Sequence, residues 1–231
     1  MTQDTFMLSQ TLSDRIAATI AERIVEGHYA PGQRLVESNL AKQLNVSHGP
    51  IRDALRWLQH SGLVTIAAFK GAQVTELSER ELEEIYEVRA SLVGLRARWL
   101  AEDPAREKVL TEVEELISQF STMAKVPAKK KMYIAMALSV SQTLTEGLSN
   151  RWLRSTLKAL TLQTSRYTRM ALDSVDRRIV SAKMWEELFV AIREGRAQEA
   201  QTLASSLSLS TREAARQSLR ALNQKNPTKK I

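Results

Sequence analysis

Val46-Ser47-His48-Gly49-Pro50-Ile51-Arg52-Asp53-Ala54-Leu55-Arg56 is the stretch on which the reading of this chain turns. Ser47 stands where a helix N-cap belongs, and Pro50 falls in the first turn, where its missing N–H costs nothing. Ile51, Ala54, Leu55 and Leu58 follow at helical spacing until Ser61-Gly62 stops the run. With Ile51 and Leu55 turned inward, Ser47, His48, Arg52 and Arg56 fall on the outer face and the N-terminal end. Such a helix suits the major groove of DNA: an Arg pairs with guanine O6 and N7, and free backbone N–H groups hold a phosphate. Arg52 is the main candidate reader, with Ser47, His48, Gly49 and Arg56 beside it.

Working outward, Leu12, Ile16, Ile20 and Ile24 recur every four residues and predict an amphipathic helix ending near Gly27. The turn Tyr29-Ala30-Pro31-Gly32 follows, and Ser38 opens a short helix carrying Leu40, Ala41 and Leu44. Ser38 would face a nucleic-acid backbone. Asn45-Val46 separates this helix from the third. Leu63–Ile66 and Ala72–Thr75 read as two short strands, with Val64, Ile66, Ala72 and Val74 on the apolar face. The residues between them, Ala67-Ala68-Phe69-Lys70-Gly71, form a hairpin tip from which Lys70 and Gly71 reach a phosphate or the minor groove. The sum is a winged helix-turn-helix domain over residues 1–75.

Ser78 to Glu81 is a capping box flanked by Leu77 and Leu82 at the staple positions, so a new helix starts directly after the second strand. From residue 76 to about 223 only helical periodicity remains. Starts fall at Asp103-Pro104, Pro127, Asn150 and near Asp173, with a stop at Gly195, which predicts about six helices. Residues 224–231 read as a polar, basic tail expected to fray. The fold class expected is mainly α: an N-terminal winged helix-turn-helix followed by an all-α helical bundle.

Composition agrees and excludes several functions. Eight Gly, five Pro and four each of Phe, Trp and Tyr in 231 residues are too few for a turn-dense β architecture. The net charge of +7 invites a nucleic-acid reading, yet residues 1–75 carry seven Lys/Arg against six Asp/Glu. DNA binding must therefore come from placed residues. There is no Cys, and the histidines are His28, His48 and His60, so the helical half has neither thiolate nor imidazole. Enzyme chemistry lacks reagents: nucleophile elbow, phosphate loop and His–Cys pairs are all missing. A transition-metal site there is not expected, because borderline metals need N or S donors. No apolar run approaches the roughly 20 residues that span a bilayer, so a cytoplasmic protein without membrane association is expected.

Residues 12–75 resemble the winged-helix domain of the GntR family of bacterial transcription regulators. The likeness is carried by Pro31-Gly32, Leu40-Ala41 with Leu44, Val46-Ser47, Pro50-Ile51-Arg52 with Ala54-Leu55, Gly62-Leu63-Val64, and Lys70-Gly71-Ala72 with Val74. The remainder is similar to the effector domain of the fatty-acid-repressor-type (FCD) subfamily through Leu82-Glu83-Glu84-Ile85-Tyr86-Glu87-Val88-Arg89 and Ile192-Arg193-Glu194-Gly195. The resemblance implies a homodimeric repressor on a palindromic operator, with a helical domain that dimerises and holds a small-molecule effector. Two departures stand out. The family usually has Arg where His48 stands and a hydroxyl residue at Gly49, which implies a different operator. Members with a metal-dependent pocket use an Asp and three His, and alignment puts those positions at Ala137, Ser141, Trp185 and Leu207. None of these ligates as the family does.

The effector pocket implied by the resemblance is therefore lined by Ser139, Ser141 and Gln142 on one helix, Trp185 on another, and Arg89. Arg89 either binds a carboxylate or phosphate bidentately or pairs with a neighbouring Glu. Trp185 reads first as core filling. The alternative is a helical domain that has lost its small-molecule site and serves only to dimerise or to recruit a protein partner.

Overall fold

The computed structural model describes residues 11–67 and 71–225. The chain divides into two compact units, Met1–Glu76 and Leu77–Ile231. The mainly helical fold class read from the sequence is borne out, with a winged helix-turn-helix in the first unit and, among the described residues, only helices in the second.

In the first unit, α1 (Leu12–Glu26) opens on a capping box between Thr11 and Asp14 and closes at Gly27, whose φ of 85° favours glycine. It buries Ile16, Ile20 and Ile24, while Leu12, counted above on the apolar face, is exposed because it lies in the first turn beyond the core. Helix α2 spans Glu37–Leu44 and α3 spans His48–His60. Between them Asn45 adopts a left-handed conformation (φ 52°), a geometry Asn tolerates and most side chains resist. Ser38 is the second residue of α2, whose N-cap is Val36. Ile51, Ala54, Leu55 and Leu58 of α3 are buried, and α3 packs on both α1 and α2.

The sheet has three strands in the order β1-β3-β2, all antiparallel neighbours. β1 (Arg34–Leu35) escaped the sequence reading because two residues show no alternation. β2 (Val64–Ala67) and β3 (Gly71–Val74) are each displaced by one residue from the expected bounds, and Ala67 pairs with Gly71. Gly71 thus opens β3, and residues 68–70 lie outside the described residues. Ala72 and Val74 are buried as expected; Ile66 is exposed, since only Val64 of β2 faces the core.

The second unit comprises α4 (Glu79–Glu102), α5 (Arg106–Ser118), α6 (Phe120–Ala124), a 3₁₀ turn (Pro127–Lys129), α7 (Lys130–Glu146), α8 (Arg151–Ala171), α9 (Val175–Arg193) and α10 (Ala197–Lys225). The short α6 was not foreseen. Helix α10 runs two residues beyond the expected end at 223, so residues 224 and 225 are helical; the rest of the tail, 226–231, lies outside the described residues. The Ser78–Glu81 capping box forms, and Leu77 packs on the cluster that contains Leu82. Asn150 caps α8 by accepting from the N–H groups of Trp152 and Leu153. Asp173 precedes the actual cap of α9, Ser174.

Helices α4 and α10 form the most extensive pair. Gly94 makes the approach possible: a Cβ there would lie 2.4 Å from Ser205 Oγ and 3.1 Å from the Gln201 carbonyl. Arg178, 1% exposed, ties two helix ends together. Its Nε donates to the Ala124 carbonyl at the end of α6, and its Nη1 donates to the carbonyls of Leu172 (3.1 Å) and Asp173 (2.7 Å) just past α8. A cation suits these C-terminal carbonyls, which lack intrahelical partners.

Candidate functional site

The outer face of α3 is the first candidate surface. Ser47 occupies the N-cap position with extended backbone, but its side chain makes no capping bond. Ser47, His48, Gly49, Arg52 and Arg56 are all exposed, and the first turn carries no acidic residue. The helix dipole and the first-turn N–H groups therefore face outward without a built-in anion. Spacing places His48, Arg52 and Arg56 one turn apart along a single face.

Arg52 has a partner that the sequence reading missed. Its Nε donates to Glu37 Oε2 at 2.7 Å, with the two side chains 63% and 37% exposed. Glu37 is the first residue of α2, so this pair bridges the two helices of the helix-turn-helix motif. Exposed ion pairs contribute roughly 0 to 1 kcal/mol, so the bond orients the guanidinium more than it stabilises the unit. A pairing between residues fifteen apart leaves no periodic trace.

Ser38 is exposed on α2, and Gly71 is exposed at the end of β3 with φ 73°. Lys70 lies outside the described residues. The other two histidines lie at helix ends away from the first turn of α3: His28 is exposed beside Glu26 at 3.2 Å, and His60 is the exposed last residue of α3.

The second candidate is a cavity of about 40 Å³ inside the helical unit, room for a few waters or a small ion. Arg89 and Arg96 reach it from α4, Ala137 and Ser141 from α7, and Trp185 from α9. Leu207, Ser208 and Thr211 close it from α10. Ser139 and Gln142 do not reach it. They lie on the exposed side of α7, because the helix turns its Ala137, Ser141 and Leu144 stripe inward. Trp185 is 7% exposed and stands edge-on to Phe120 with centroids 6.2 Å apart, so it fills core and borders the cavity at once.

Arg89 donates from Nη1 to Ser208 Oγ at 3.0 Å and lies over the Tyr86 ring at 5.7 Å. The Glu partner considered for it is not among its contacts. Arg96 was not singled out in the sequence. Its Nη1 donates to the Ser141 carbonyl (2.9 Å), Ser141 Oγ (3.2 Å) and Thr145 Oγ1 (3.0 Å). A signal was present: Leu82, Tyr86, Arg89, Val93, Arg96 and Leu100 alternate by four and three along the buried stripe of α4, and two of those apolar positions hold Arg. Burial and the nearby Arg89 charge pull the Arg96 guanidinium down to about 9. Burial lowers Arg89 as well.

The four positions at which the family resemblance places metal ligands, Ala137, Ser141, Trp185 and Leu207, all line this cavity. They do not fit a transition metal. Two are hydrocarbon, the indole is a donor only, and Ser141 Oγ already accepts from Arg96. Two guanidiniums at the same cavity repel a cation further.

A winged helix-turn-helix unit followed by an all-helical unit with an internal cavity defines a two-domain class of regulatory protein. Residues 12–74 match the bacterial regulatory proteins of the gntR family, and residues 84–208 match the FCD domain, more than half of the chain. The chain belongs to the GntR family and carries the FCD domain. It is 30% identical over 139 residues to the HTH-type transcriptional regulator YdhC of Bacillus subtilis, a match that takes in 60% of this chain and 62% of YdhC. It is 39% identical over 75 residues to the gluconate operon transcriptional repressor of Bacillus licheniformis, taking in 32% of this chain and 30% of that protein. The chain thus spans less than two thirds of either relative. Among solved structures, McbR/YncC of Escherichia coli superposes with a TM-score of 0.73 at 18% identity, over 93% of this chain and 98% of that one. At that identity the likeness speaks for the fold.

Proposed function

We propose that this protein is a cytoplasmic, homodimeric transcription repressor that binds a palindromic DNA operator through residues 1–75 and answers to a small-molecule effector held by residues 76–223. It acts by binding and carries out no catalysis. One observation bears most of the weight: Ser47, His48, Gly49, Arg52 and Arg56 are exposed together on the face and first turn of α3, while Ile51, Ala54, Leu55 and Leu58 anchor its other side. In this reading Arg52, oriented by Glu37, reads a base or phosphate, and His48, Gly49 and Arg56 flank it. Ser38, Ser47, Lys70 and Gly71 hold the DNA backbone. The repressor named for the gluconate operon, to which the chain is 39% identical over 75 residues, lends support.

The effector would occupy the cavity beside Arg89, Ser141 and Trp185, without a metal. It would favour one placement of the paired DNA-binding units, transmitted through the short Glu76-Leu77 connection. The test is to mix purified protein with fragmented genomic DNA of its own organism at two salt concentrations and sequence what is retained. Recovery of a short palindrome at both salts is the expected result. Salt-labile capture without any common sequence would refute the operator-reading function.

A further inference from the structure

The helical unit buries positive charge and, among the described residues, no negative charge. Its buried charged side chains are Arg89 (9% exposed), Arg96 (3%) and Arg178 (1%), with no Asp or Glu among them. Arg178 is satisfied by three carbonyls at helix ends. Arg89 and Arg96 are different. Both line the cavity, both donate only to neutral oxygens, and each keeps a buried Nε with no hydrogen-bond partner among the described residues.

Burying a guanidinium without a counter-charge is unfavourable, and two of them near one another more so. The depressed value of Arg96, about 9, reports that strain while leaving the group charged at neutral pH. The bonds of Arg96 to Ser141 and Thr145 offset only part of that penalty, and the Ser141 carbonyl also accepts from Thr145 Oγ1 (2.8 Å), so Met at position 96 would fill similar space, remove the buried charge and leave that carbonyl a partner. An anion placed between the two guanidiniums would offset the buried positive charge, and a guanidinium pairs bidentately with oxyanions and carboxylates. The hydroxyl of Ser208 on the cavity wall, which accepts from Arg89, can donate its own proton to a remaining oxygen. Arg177 adds positive charge nearby, its Nη2 standing 3.4 Å from Thr211 Oγ1.

We propose that the cavity is a metal-independent site for a compact oxygen anion, a carboxylate or an inorganic oxyanion, clamped between Arg89 and Arg96, and that Arg96 supplies the resident positive charge that selects it. This deepens the effector reading and rests on it only for its biological meaning. The site's volume of about 40 Å³ limits the clamped group to a few heavy atoms.

The test uses the full chain, stripped with EDTA, in chloride buffer of constant ionic strength. Sodium phosphate, sulfate, acetate and oxalate are each titrated by calorimetry and by thermal melting. Saturable binding of at least one anion with a raised Tm is expected, and zinc or manganese should leave its affinity unchanged. Phosphate or sulfate against acetate or oxalate decides between inorganic oxyanion and carboxylate, and either result supports the clamp. R96M is expected to melt no lower than wild type without anion, yet to bind roughly tenfold or more weakly. R96K, which keeps the charge and loses the fork, should fall between the two, and it carries the test if R96M does not fold. No response of the wild type to any of the four anions overturns the proposal. So does unchanged anion affinity in R96M or R96K, or binding that EDTA abolishes and zinc restores. Retention of operator DNA is read separately: its failure with the anion response intact refutes the regulator function and leaves the clamp standing.

Discussion

Replacing Arg178 with Met should destabilise the helical unit, the opposite of the result expected at Arg96, although both are buried arginines. Arg178 makes three hydrogen bonds to backbone carbonyls, of which the Ala124 and Leu172 acceptors are buried and the Asp173 acceptor is only part-buried. Met leaves the two buried carbonyls unsatisfied at about 1 to 3 kcal/mol each, while the Asp173 carbonyl regains water. The removed desolvation cost of the charge offsets part of this, for a net loss of about 3 kcal/mol. A unit of this size loses about 2 to 4 °C per kcal/mol, so Tm should fall by roughly 6 to 12 °C. The assay is thermal and urea unfolding of the full chain followed by circular dichroism, with the helical transition separated from that of the smaller unit. R178K should be intermediate, because an ammonium cannot span three carbonyls as a planar fork does. An unchanged or raised Tm for R178M would mean that the carbonyl bonds do not repay the buried charge, and would refute the contrast drawn with Arg96.

Arg52→Ala should weaken operator binding by about 1 to 3 kcal/mol per half-site, roughly 5- to 150-fold, with Tm nearly unchanged because the Glu37 pair is exposed; a gel-shift titration across salt checks it, and a salt slope shallower by about 1 would mark a phosphate contact over a base contact. Gly94→Ala should cost about 1 to 3 kcal/mol in urea unfolding, since its Cβ would press on Ser205 and on the Gln201 carbonyl. Ser78→Ala should cost about 1 kcal/mol by breaking the capping box of α4. The Ser78 hydroxyl and N–H hold the Glu81 carboxyl below its ordinary range; their contribution is therefore present above the unfolded pKa of about 4.3 and is lost as pH falls through the folded value. The acid limb of a wild-type stability profile should accordingly flatten in S78A.

Much of this architecture is legible in one dimension because local physics writes it there. The α3 stripe of Ile51, Ala54, Leu55 and Leu58, the Ser78–Glu81 box and the Asn150 cap each depend on residues within a turn or two of one another. The two-residue β1 carries no such pattern, since pairing with β3 alone makes it a strand. Ser139 and Gln142 show the limit of reading by resemblance: a neighbourhood in sequence was right, but the rotation of α7 turned those two outward and Ser141 inward.

The sequence by itself determined the helical periods, the caps, the turn at Asn45, the absence of imidazole and thiolate beyond residue 60, and hence the family and the missing metal ligands. Tertiary structure alone decided the charges. Whether an arginine is solvated, tied to helix ends as Arg178 is, paired across a turn as Arg52 is with Glu37, or left facing a cavity as Arg89 and Arg96 are depends on contacts made across 5 to 119 positions of chain. An ion's energy is set by the dielectric and the partners around it, and those come from packing that only the folded chain assembles.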